Sequence, residues 1–129
     1  MPHNLPPDAI VVRGGKGSAA HLLAAAELAA RDGDGYVLSV AADAPHPGET
    51  REELITRLCQ ECKIRHTKVR TSTVGELETS GFSLHQTYEP ASHHDLVLVV
   101  GSSPQLSDAE ELMRHFEPER SNPWLETRS

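Results

Sequence analysis

The stretch Val11-Val12-Arg13-Gly14-Gly15-Lys16-Gly17-Ser18 runs directly into the alanine-rich segment 19–30. The two valines read as the end of a buried strand and the glycines as a tight turn carrying two cations. Ser18 reads as the cap of a helix in which Leu22, Leu23, Ala26, Ala29 and Ala30 recur at helical spacing. A helix start leaves backbone N–H groups without partners, and the helix dipole adds partial positive charge there, so an anion is attracted. Arg13 and Lys16 add full charges, Arg13 through a planar two-point fork. The expected ligand-binding set is therefore Arg13, Gly14, Gly15, Lys16, Gly17 and Ser18, and the expected ligand is a phosphate-bearing small molecule. The spacing is not that of a nucleotide-triphosphatase loop, because Lys16 precedes Gly17 instead of following the last glycine. The dinucleotide pattern Gly-x-Gly-x-x-Gly also breaks, since Gly15 and Gly17 are followed by Ala20.

Outward from this turn, strands and helices alternate. Strands are expected over 9–13, 36–41, 67–74, 83–88 and 95–100. The Asp32-Gly33-Asp34-Gly35 run ends the first helix. Thr50 and Glu53 form a capping box for a second, whose stripe is Leu54, Ile55, Leu58, Cys59 and Cys62. Thr73 and Glu76 cap a short third helix. Ser107 and Glu110 cap a fourth, with Leu112, Met113 and Phe116 on its apolar face. This order predicts an α/β domain of two or three layers, with a mixed, partly parallel sheet of about five strands. A single domain is expected over 1–116, followed by a polar tail over 117–129 around Trp124.

A chain of 129 residues supports one real core. With one Trp, two Tyr and two Phe, that core must be aliphatic. No apolar run approaches the ~20 residues of a membrane-spanning helix, and the first residues do not resemble a secretory signal. Two cysteines suit a reducing compartment, so a cytoplasmic protein is expected. The net charge of −7 argues against general attraction to nucleic acid or anionic lipid. Lys63, Arg65, Lys68 and Arg70 reverse that charge locally, with His66 among them and no acid between Glu61 and Glu76. On a strand, His66, Lys68 and Arg70 would share one face. This stripe is the candidate nucleic-acid surface.

Cys59-Gln60-Glu61-Cys62, with His66 four residues on, has the spacing of half a zinc site. No second pair completes it, and both cysteines fall on the apolar stripe of a helix, where thiols pack as small hydrophobes. No metal site is therefore expected, and no particular cofactor is implied. His93 and His94 sit in an expected loop beside Asp95, where imidazoles suit acid–base work. With Arg13 they are the candidate catalytic residues. The leading expectation is a small binding or accessory protein that holds a phosphate-bearing ligand at 14–18 or acts through a protein partner. The alternative is a nucleotide-using transferase or hydrolase, which requires Arg13 and His93 to converge on one cleft.

Overall fold

The structure, a computed structural model, describes residues 3–15, 18–33, 35–87 and 90–126. Lys16 and Gly17 of the expected ligand set lie outside the described residues. The elements are β1 (Ile10–Gly14), α1 (Ala19–Arg31), β2 (Val37–Asp43), α2 (Arg51–Glu61), β3 (Lys68–Thr73), α3 (Val74–Thr79), β4 (Ser83–Gln86), β5 (His93–Val97), α4 (Leu106–Met113), β6 (Arg120–Ser121) and α5 (Pro123–Glu126).

The sheet departs from the expected mixed arrangement of about five strands. Its six strands are ordered β4-β5-β2-β1-β3-β6, and every neighbouring pair is antiparallel. The physical reason lies in the connections. The unit β2-α2-β3 does join two strands that run the same way, but β1 lies between them in the opposite sense. A strand–helix–strand order in sequence therefore gives no parallel neighbours here.

Alternation along the strands supplies two cores. Val11 with Leu38, Val40, Ala42, Leu84 and Leu96 faces α1, α3 and α4, which contribute Leu22, Ala26, Val74, Leu77, Ala109 and Leu112. Ile10, Val12, Ala41 and Val69 face α2, which contributes Leu54, Ile55, Leu58 and Cys59, and Trp124 of α5 packs beside them. β2, an apolar run in sequence, is thus not buried throughout: Ser39 on the α2 face is exposed.

Local signals explain most helix starts. The Thr50 hydroxyl accepts from the Glu53 N–H at 3.1 Å, while the Glu53 carboxylate accepts from the Thr50 N–H at 2.9 Å. The Thr73 hydroxyl accepts from Glu76 N–H at 3.1 Å. For α4 the cap lies two residues earlier than expected, where the Asp108 carboxylate accepts from the Gln105 N–H at 2.7 Å. The segment beyond 117 carries β6, paired with the start of β3, and α5.

Candidate functional site

The two central strands part company at one end of the sheet. Their registered pairs are Ile10↔Asp43, Val11↔Ala42 and Val12↔Ala41. Beyond these, Arg13 and Gly14 pair with β3 alone, and residues 37–40 pair with β5 alone. Arg13 stands at this fork, and its Nη1 donates to the Ser39 carbonyl at 2.8 Å. Burial holds its guanidinium below the ordinary arginine value.

Antiparallel pairing decides what the fork faces. Gly14, near the end of β1, is registered with Val69, near the start of β3. The glycine turn after β1 therefore meets the cationic loop 63–67 that leads into β3. A parallel pairing would have set it beside Thr71 to Thr73 instead. The two features named separately from the sequence become one site through topology.

The turn is built for contact with that loop. A Cβ added at Gly14 would lie 2.3 Å from Ile64 Cγ2 and 3.0 Å from His66 Cδ2, so only glycine admits them. Gly15 has φ +97°, and its N–H donates to the Lys68 carbonyl at 3.3 Å. That N–H is thus engaged by the fold. Ser18 caps α1, its hydroxyl accepting from the His21 N–H at 3.2 Å. Cationic side chains also stand beside this turn.

Those side chains come from the end of α2. The Ile64 N–H donates to the Cys59 carbonyl at 2.8 Å and the Lys63 N–H to the Gln60 carbonyl at 3.2 Å, the two bonds of a Schellman ending. Such an ending places one residue in the left-handed region, normally a glycine. Here it is Lys63, at φ 53°, the only described non-glycine residue with positive φ. Asn122, 1% exposed, fastens the next residues, its Nδ2 donating to the carbonyls of Ile64 and His66, both at 2.9 Å. Arg65 lies 5.6 Å from the centre of the Trp124 ring. Nothing in the sequence singled out Asn122; its side chain matters only because β6 returns to β3.

Together these residues line a groove of about 390 Å³ formed by Arg13, Gly14, Ser39, Val40, Cys62, Lys63, Ile64, Arg65, His66 and His93. Five of these ten are Arg, Lys or His, and none is a carboxylate. Arg13 and His93 thus line the same groove. His93 lies in β5, not in the loop expected for it. The Thr87 hydroxyl lies 3.0 Å from the His93 carbonyl and 2.6 Å from its Nδ1, which orients the ring at the groove.

Other sequence candidates are placed elsewhere. His94 is 2% exposed, its ring packs edge-on to His3, and its Nδ1 donates to the Ser92 carbonyl at 2.8 Å. Burial lowers its pKa, so it is a neutral core histidine. Cys59 is fully buried, and burial pushes its thiol up to about 12. Burial also raises Cys62. Neither is an activated nucleophile. Among the described residues no group of three or more His, Cys, Asp or Glu side chains is arranged to hold a metal, so Cys59, Cys62 and His66 form no such set. The basic stripe divides: Lys63, Arg65 and His66 line the groove, Lys68 is exposed beside β6, and Arg70 faces Leu22 and Phe116. No described helix is long and apolar enough to cross a membrane. The chain matches no protein-family model, no curated protein and no solved structure.

Proposed function

We propose that this chain is a small binding protein that holds a phosphate-bearing molecule in the groove between Arg13 and the 62–66 loop. The observation carrying this reading is the charge inversion. A chain of net charge −7 gathers five basic side chains around one groove and admits no carboxylate to its lining. Arg13 and Arg65 supply forked donors for phosphate oxygens, Lys63 a point charge, and His66 and His93 further polar contacts. A volume of about 390 Å³ suits a nucleotide-sized ligand, since small-molecule sites span roughly 300–1,000 Å³. The two free thiols fit a cytoplasmic setting.

The test is calorimetric titration of the protein with pyrophosphate and with a nucleoside diphosphate. Saturable binding is expected, weakened at least tenfold in the Lys63→Ala/Arg65→Ala double variant, because charge-assisted contacts are worth about 1.5–3 kcal/mol each. Absence of saturable binding to either compound refutes the proposal.

One observation favours an enzymatic extension of this reading, a transferase or hydrolase acting on the same ligand. His93, an imidazole suited to proton transfer, lines the groove that Arg13 lines. Turnover of a nucleoside triphosphate by the wild type, reduced in His93→Ala far more than affinity is, is the expected result. Equal turnover in the variant removes His93 from the chemistry.

A further inference from the structure

On the opposite side of the sheet from α2, two arginines stand together without a counter-charge. Arg13 and Arg70 are directly registered across β1 and β3. Like charges opposite one another on antiparallel strands repel. Both side chains line a narrow crevice walled by Leu22, Leu112, Met113 and Phe116. The Nε of each is buried and has no hydrogen-bond partner among the described residues. Arg13 makes one bond through Nη1, to Ser39. No carboxylate is paired with Arg70 or Arg13 among the described residues.

Two buried N–H donors on adjacent guanidinium groups in an apolar crevice need an acceptor, and their repulsion needs a negative charge. The crevice is partly open to solvent and offers about 20 Å³, room on the scale of one small particle. A water molecule could accept both hydrogen bonds but would leave the two positive charges unopposed. We infer that the Arg13–Arg70 crevice is a site for a single halide-sized anion, chloride being the abundant one, which locks β1 to β3 beneath α1 and α4. The crevice shares Arg13 and Gly14 with the groove proposed above, whereas Arg70 and the apolar wall belong to the crevice alone.

The experiment compares melting temperature in sodium chloride and in sodium gluconate at equal ionic strength, for the wild-type chain and for Arg70→Met. The wild type is expected to gain several degrees, saturably, as chloride replaces gluconate. Arg70→Met is expected to show no chloride dependence while keeping its affinity for a nucleoside diphosphate. Equal melting temperatures of the wild type in the two salts would overturn the inference, as would an unchanged chloride response in the variant. Should Arg70→Met fail to fold, bromide-soaked crystals of the wild type decide the matter. An anomalous peak within hydrogen-bonding distance of both Nε atoms is expected, and its absence refutes the site. Loss of chloride dependence with nucleotide binding intact separates failure of the groove from failure of the crevice.

Discussion

At the scale of single residues, Lys63 is the most informative position. Its backbone occupies the left-handed region that closes α2, where a residue with a Cβ is disfavoured by about 1–2 kcal/mol. Glycine fits that conformation better, yet a lysine stands there, beside a groove that its charge helps to make basic. Lys63→Gly is therefore expected to raise unfolding stability by about 0.5–1 kcal/mol, after the entropy glycine adds to the unfolded chain. The same change should weaken binding of a nucleoside diphosphate several-fold. Chemical denaturation and calorimetry check the two halves, and a destabilised variant with unchanged affinity would contradict the role given to Lys63. The sequence marked Arg13, Lys63, Arg65, His66 and His93 by residue type alone. It could not reveal that Gly14 serves to admit Ile64 and His66, because that contact is made across strands.

Between elements, two small devices govern the site and the core. The first is Asn122, whose amide holds the 64–66 loop against β3. Asn122→Ala leaves two carbonyls without this donor and is expected to cost about 1–3 kcal/mol. Amide exchange at Arg65, His66 and Thr67 should accelerate more than exchange in α1. Uniform acceleration would mean that Asn122 supports the fold at large and not this loop. The second device is His115, whose Nδ1 meets Glu76 at the start of α3 at 2.8 Å and whose Nε2 meets Glu111 of α4 at 2.9 Å. The bond to Glu76 raises the His115 pKa, burial opposes the rise, and the bond to Glu111 adds to it. Ser80 and the ring of Phe82 also face this imidazole. Its contribution to stability is full below the unfolded value of about 6.5 and is lost as pH rises through the higher folded value. Urea midpoints of the wild type should thus fall between pH 6 and pH 9 more than those of His115→Gln, and parallel profiles would contradict the bridge. A capping box made α2, and an N-cap threonine α3, readable from sequence, whereas β6 and α5 were not. A two-residue strand paired through its backbone leaves no periodic trace in side chains.

For the whole molecule, strand order is what creates the site. Apolar alternation showed where most strands lie, but it carries no information about which strand lies beside which. The expected parallel neighbours were replaced by antiparallel ones because β1 lies between β2 and β3. That placement sets the glycine turn against the cationic loop and opens the sheet at Arg13. It also gathers five basic side chains in one groove of a chain of net charge −7, so affinity for an anionic ligand should decline as added salt screens these charges. Amide chemical shifts during titration with a nucleoside diphosphate test the central claim most directly. The account predicts that Gly14, Lys63, Arg65, His66 and His93 shift together and saturate at one ligand equivalent. Saturating shifts confined to other parts of the sheet, or no saturable shifts at all, would contradict it.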